Sequence, residues 1–299
     1  MKKLLELFLS ISIIILFVPS IYALQDEQTY EISKHNKVDN ILLIGKDSFD
    51  SKEPARSDTM IILTLDNLNK SIKLTSLARD TLVNIPNKGN EKLNHAYAYG
   101  KEELLLQTIN QNFKLDIKDY AVVDFMSFIE IIDTLGGVDV EVYEKEINHL
   151  NQIIKSSYCL NDENRGKIKY IDNCGFQNLN GYQALAYARI RKIDTIYKRD
   201  ERQRKILTNI AYKLSNTPIT EYPAIIKNIA KNIDVNISLD KITKLAFLSH
   251  ELGSYEIKQL QFPLEQYREE DRINGDGMYV VKWKEEENLK VLHEFIYGK

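Results

Sequence analysis

The chain has 299 residues, 43% of them hydrophobic, enough for one large core once an N-terminal segment is set aside. Its 40 basic and 43 acidic residues leave a net charge of −3, and no long basic run occurs, which argues against nucleic acid as a partner. Any anion site must therefore be local.

Met1, Lys2 and Lys3 form a short basic start, and no charged residue follows between Leu7 and Leu24. A membrane-spanning helix needs about 20 apolar residues, and this run, interrupted by Pro19 near its outer end, comes close. Residues 1–24 are thus expected to be a transmembrane anchor or, with Ile21 and Ala23 as a mediocre cleavage site, an export signal. With Lys2 and Lys3 retained inside, everything after Gln25 lies outside the cytoplasmic membrane, as a single-pass protein or exported after cleavage. Residues 25–38 are polar and mostly charged, and read as a tether.

The run from Asn40 to Gly45 is apolar and ended by glycine, which predicts a buried strand; Met60–Leu65 predicts a second and Ser71–Leu77 a third. The Asp66-Asn-Leu-Asn69 cluster predicts a turn, and hence a hairpin, between the last two. Leu104, Leu105, Leu106, Ile109 and Phe113 recur at helical spacing within 102–113. A strand over 119–124, a helix over 125–135 stopped by Gly136 and Gly137, and a strand over 137–142 follow. Residues 144–178, rich in Asn, Lys and Asp, are expected to be an irregular excursion. Helices are expected over 179–189 and 199–214 and around 221–231 and 239–251, then strands over 256–262 and 278–283 and a short terminal helix. No Pro/Gly/Ser-rich linker and no internal repeat divides the chain. Residues 39–299 therefore predict a single α/β domain, a mixed central β-sheet covered by helices on both faces.

Cys159 and Cys174 lie in the excursion. An oxidising compartment permits a disulfide between them, closing a loop of about 15 residues worth about 3 kcal/mol by chain entropy. Two unpaired thiols are the alternative, and no histidine accompanies them at zinc-ligand spacing.

Asp47 follows the first strand, Arg56 and Asp58 precede the second, and Arg79 and Asp80 follow the third. If these strands run up, down and up, all five side chains gather at one sheet edge, where loops commonly build sites. In an extended Arg56-Ser-Asp58 the guanidinium and carboxylate share a face. Asp47 and Asp58 could then hold one hard cation such as Mg²⁺, which takes one or two carboxylates plus phosphate oxygens and water. A surface hairpin carrying ordinary ion pairs is the competing explanation. Arg189, Arg191, Arg199, Arg202 and Gln203 fall within 15 residues, with Arg199, Arg202 and Gln203 on one helical face. Arginine's rigid fork suits phosphate oxygens, and its local preference in a lysine-rich chain favours anion binding over a solvated basic face.

Seven segments carry a specific resemblance: Leu42–Asp47, Ala55–Met60, Ser76–Leu82, Lys92–Tyr97, Asp133–Asp139, Leu179–Arg191 and Arg199–Gln203. In this order and spacing the chain resembles the LytR-CpsA-Psr family of cell-envelope phosphotransferases, from about residue 38 to its end. The resemblance implies an enzyme that moves a glycopolymer from a polyprenyl diphosphate carrier to a peptidoglycan hydroxyl through a phosphodiester. It implies Asp47 and Asp58 on the side of a Mg²⁺ ion, with Mn²⁺ as the alternative metal. Arg56, Arg79, Arg189, Arg191, Arg199 and Gln203 would grip the diphosphate, with Arg202 as a neighbour. Asp47 or Asp80 would take the acceptor's proton. A lipid carrier also demands an apolar cleft, which Leu104, Leu105, Ile109, Phe113, Phe125, Phe128, Ile129, Ile132 and the helix after Gln203 could line, although the same stripe is what any core helix shows. Ala78 stands where the family usually has proline, and Lys88 is the one counterpart of a further family basic residue. A diphosphohydrolase on the same site and a non-catalytic polyprenyl-lipid-binding module are the competing readings.

Overall fold

The first strands alternate their apolar side chains between two faces, and both faces find a cover. In the computed structural model the described residues are 38–47, 56–159, 167–221, 224–225, 233–237, 241, 254–273 and 277–298. β1 (Asp39–Lys46) runs antiparallel to β2 (Ser57–Asp66), which runs antiparallel to β3 (Ser71–Leu77). Leu42, Ile44, Met60 and Ile62 point to one face, while Leu43, Ile61 and Leu63 point to the other. That period of two on doubly buried strands is why they read as unbroken apolar runs. The sheet has six strands in the order β10 (Glu256–Phe262), β3, β2, β1, β6 (Asp119–Val123) and β9 (Asp234–Val235). β10 is parallel to β3 and β6 is parallel to β1, so the sheet is mixed as predicted.

One face is covered by α1 (Leu93–Phe113) and the terminal helix α6 (Glu285–Tyr297), whose Leu105, Ile109, Phe113, Leu292 and Ile296 are fully buried against it. The helix expected over 102–113 thus begins nine residues earlier, behind a kink at Gly100 and Lys101. Two short hairpins flank this face: β4 (Leu82–Ile85) with β5 (Gly89–Lys92), neither expected from the sequence, and β11 (Arg268–Ile273), also unexpected, with the predicted strand β12 (Met278–Trp283). Across the sheet lies α5 (Ile196–Asn216), with Leu207 against Ile61 and Leu74. Beyond it pack α2 (Phe125–Thr134), α3 (Glu144–Cys159), α4 (Gly181–Ala188) and the hairpin of β7 (Val138–Val142) with β8 (Gly175–Leu179).

The irregular excursion expected over 144–178 is corrected at its start: residues 144–159 form α3. Ile147, Leu150 and Ile154 recur at helical spacing and enter the core, and the Glu146 carboxylate accepts the Tyr143 N–H at 2.9 Å to cap the first turn. Polar composition hid a narrow apolar stripe. The expected disulfide is also not formed, because Cys174 is a free, exposed thiol. Ile171 bonds Asn151 midway along α3, and the chain then runs back to pair Gly175 with Val142 near the helix start. Cys159 ends the helix about 12 Å beyond Asn151, on the opposite side. A bridge needs Cα atoms within about 7 Å. The Cys159 side chain itself lies outside the described residues, as do the anchor expected over 1–24, all but Val38 of the tether expected over 25–38, and nearly all of the helices expected at 221–231 and 239–251. Among the described residues no helix is long and apolar enough to cross a membrane.

A buried ion pair ties the sheet to α6. Lys73 Nζ donates to Asp66 at 2.8 Å and to the Ile296 carbonyl at 3.0 Å, with both side chains almost wholly buried. Lys73→Met leaves Asp66 without its cation and should destabilise the protein by about 3–5 kcal/mol in urea unfolding. Hydrogen bonds from Asn69 and Lys73 outweigh the burial of Asp66 and hold its pKa below the ordinary value. Its stabilising contribution is therefore complete above the ordinary aspartate pKa and lost as pH falls through the depressed one. The Lys73→Met difference should shrink over that acid range.

Candidate active site

The turn after β3 is fastened from several sides. The Ala78 N–H donates to the Phe262 carbonyl (2.8 Å), Val281 N–H to the Asp80 carbonyl (2.8 Å), and Asn94 N–H to the Arg79 carbonyl (3.1 Å). So anchored, Arg79 Nη1 reaches the Asp58 carboxylate at 2.5 Å across the sheet edge, and its Nε reaches Asp80 at 3.4 Å. Asp80 is buried and also accepts from Lys92 Nζ at 2.9 Å. One of its oxygens thus faces Arg79 and the other Lys92. Asp47 closes the same edge, its N–H donating to the Arg56 carbonyl at 2.9 Å, and the Arg56 side chain is exposed there.

Arg189 is delivered by α4, whose start is specified by a capping box between Asn180 and Gln183. Gly181 lets that start press against α2: a Cβ there would lie 2.7 Å from the Ile129 Cα. At the other end Arg189 caps the helix, donates to Ser157 Oγ at 3.1 Å and lies 4.5 Å from the Phe125 ring centre. Arg191 follows, exposed and without an ion pair among the described residues. Surrounding protein and the neighbouring Arg79 and Arg199 push its pKa below the ordinary value. Arg199 is buried; its Nη2 donates to the Asp58 carbonyl at 2.9 Å and to Asp200 at 3.3 Å, and its Nε has no partner among the described residues.

The strands thus run up, down and up, and the two clusters meet. The Asp47 side chain remains accessible, yet desolvation by nearby protein and the charge of Asp58 hold its pKa above the ordinary value against Arg189, Arg79 and Arg191. Asp47 makes no ion pair with any described residue. It is a carboxylate pressed toward protonation, facing a set of guanidinium groups that includes one left uncompensated.

Arg202 is placed differently from its helical neighbours. It is buried, donating through Nε and Nη2 to Glu146 at 3.0 and 2.7 Å, and pairs with Asp194 as well. Its Nη1 also donates to the Ile190 carbonyl at 3.4 Å, so it braces the segment bearing Arg189 and Arg191. Gln203 does likewise from its Nε2 to the Ala188 carbonyl at 3.5 Å. Arg202→Met should therefore lower stability by about 3–5 kcal/mol, stranding two carboxylates. Arg191→Ala, which removes no ion pair among the described residues, should leave the unfolding midpoint in place. Sequence reasoning gave Lys92 no role beyond opening the Lys92–Tyr97 segment, and passed over Ser157 and Arg204. Arg204 is buried and donates to Ser76 at 2.6 Å, Gln261 at 3.0 Å and Gln259 at 3.0 Å, locking α5 to the sheet. Only the partners across the sheet distinguish it from a solvated arginine.

Guanidinium groups gathered beside two carboxylates at one sheet edge of an α/β protein are the residue types that suit phosphate oxygens. The LytR_cpsA_psr family signature spans residues 20–294, and this chain belongs to that family. It is 31% identical over 285 residues to the polyisoprenyl-teichoic acid–peptidoglycan teichoic acid transferase TagU of Enterococcus faecalis, covering 89% of this chain and 84% of that one. It is 32% identical over 228 residues to the TagT transferase of Bacillus subtilis, covering 74% and 67%. Among solved structures, the LytR-CPS2A-psr family protein YwtF (TagT) with bound octaprenyl pyrophosphate lipid superposes with a TM-score of 0.64 at 26% identity, over 90% of this chain and 94% of that one. TagT bound to LIIa-WTA shares the fold, with a TM-score of 0.71 over 92% and 96% at 24% identity.

Proposed function

We propose that this protein transfers a glycopolymer from a polyprenyl diphosphate carrier to a peptidoglycan hydroxyl, forming a phosphodiester link. The observation that carries this reading is the convergence of Asp47 and Asp58 with Arg79, Arg189 and Arg191, with Asp47 unpaired and its pKa raised. The transferase names of relatives above 30% identity support the same reaction. Arg56, Arg79, Arg189 and Arg191 hold the diphosphate, with Arg199 setting the Asp58 main chain and Gln203 and Arg202 supporting the loop. The acceptor oxygen attacks the phosphorus that carries the glycan; its proton passes to the Asp47 carboxylate. The bond from that phosphorus to the bridging oxygen breaks, and polyprenyl phosphate departs with its charge met by the arginines. Asp80, committed to Lys92 and Arg79, positions Arg79 rather than accepting the proton.

Two mutually repelling carboxylates beside a phosphate-binding cluster also fit a Mg²⁺ ion, with Mn²⁺ as its substitute, since such ions need few protein ligands when phosphate and water complete the shell. Asp58, with Asp47 before it takes the proton, would hold such an ion, which would supply positive charge to the phosphoryl oxygens. Phe125 and Phe128, partly buried against the core of Ile129, Tyr182 and Leu185, are the apolar side chains nearest the arginines that would meet the lipid chain. Leu105, Ile109, Phe113 and Ile132 instead belong to closed cores. Residues 1–24 hold the catalytic domain, 39–299, to the outer side of the cytoplasmic membrane.

The test offers radiolabelled lipid-linked glycan with purified peptidoglycan, with and without EDTA. Label appearing on peptidoglycan and requiring divalent metal is expected. Release of label independent of acceptor would replace transfer with hydrolysis, and retention of intact lipid would leave a binding module.

A further inference from the structure

A concavity lies apart from the proposed reaction site, between the start of α3 and the first half of α5. It encloses about 570 Å³, within the about 300–1,000 Å³ range of small-molecule sites. Its floor is Arg202 held between Glu146 and Asp194, with the guanidinium 5.8 Å from the Tyr187 ring centre. The rim carries a chain of ion pairs, Lys198 to Glu201 at 2.7 Å and Lys205 to Glu201 at 3.1 Å. Tyr143 completes the rim with 44% of its surface exposed; its hydroxyl is fixed by donation to Glu141 at 2.9 Å, and Lys205 Nζ sits 6.0 Å from the ring centre.

Four basic and four acidic side chains line the cleft. That balance disfavours a polyanion, and a charged rim disfavours a lipid tail. A sugar ring matches it: C–H faces rest on an aromatic ring while hydroxyls bond to carboxylate, ammonium and guanidinium groups that supply both donors and acceptors. The cleft is also joined to the reaction site. Arg202 bonds Ile190 and Asp194, which bound the segment carrying Arg191. α3 runs from Glu146 in the cleft to Ser157 beside Arg189, about 16 Å at the helical rise. We infer that this cleft binds saccharide units of the acceptor's glycan strand, several units away from the hydroxyl that reacts. The subsite presupposes the transferase reading, because it names the acceptor of that same site.

The test is cosedimentation with purified peptidoglycan sacculi stripped of attached polymer. The wild-type protein should sediment with them, Tyr143→Ala should bind about tenfold more weakly, and Tyr143→Phe, which keeps the ring, should bind like wild type. Arg79→Ala should also sediment like wild type, because its defect lies in the reaction site. Should Tyr143→Ala fail to fold, judged by its melting temperature, a Lys198→Ala/Lys205→Ala double variant serves in its place with the same expected loss. Wild-type protein that ignores sacculi, or variants that bind them undiminished, would overturn the subsite. Sacculi bound through Tyr143 but never receiving labelled glycan would retain the subsite and reject the transferase.

Discussion

Arg79→Ala should reduce glycopolymer transfer by about 10²–10³-fold, the scale of losing one preorganised donor to a developing oxyanion. The residue sits at the crossing of the site, bonded to Asp58 and Asp80 and within electrostatic reach of Asp47 and Arg191. Those neighbouring carboxylates also hold its own pKa above the ordinary value despite burial, so it stays charged. Arg79→Lys should recover little, because an ammonium cannot keep the Asp58 and Asp80 contacts while also serving phosphate. The Asp58 pair is partly solvated, so the urea midpoint should move far less than in Lys73→Met. Transfer measured with labelled lipid-linked glycan checks this. Wild-type rates in Arg79→Ala would remove the diphosphate from this edge of the sheet.

Asp47→Asn should separate activity from stability in the opposite direction. As the proposed proton acceptor, its loss should lower transfer by about 10²–10⁴-fold. Desolvation and Asp58 raise the Asp47 pKa, so between the ordinary aspartate value and the raised one the native state binds a proton that the unfolded chain has released. Stability from this group therefore falls as pH rises through that window, and the neutral amide escapes the loss. At pH 7 Asp47→Asn should unfold at the same urea concentration as wild type or slightly higher, while the acidic limb of the wild-type rate profile disappears. A variant that lost stability and activity together would make Asp47 a structural residue.

Much of the sheet was legible because its signal is local. β1, β2 and β3 carry their apolar residues in consecutive runs, and Asp66–Asn69 announces the turn between two of them. Elements with diluted or short signals were missed: the apolar stripe of α3 is narrow amid Asn and Lys, β4 is apolar but only four residues long, and β5 and β11 have few apolar residues to reveal them. The disulfide was a reasonable expectation from compartment and spacing, yet spacing along the chain carries no direction. A helix that leads Cys159 away from Val142, and a strand that returns Cys174 to it, decides the matter.

Among the arginines the division is sharper. Residue type and spacing established by themselves that guanidinium groups collect in two short segments and that acidic residues stand at the ends of the first strands, since those are properties of the chain's order. Which of them meet was decided only by tertiary structure. Arg199, Arg202 and Arg204 occupy one helix, yet they face the Asp58 carbonyl, the Glu146 and Asp194 carboxylates, and the β3–β10 polar seam respectively. Each direction is set by what lies across the packed layer, and a carboxylate fifty residues away leaves no mark on the local sequence.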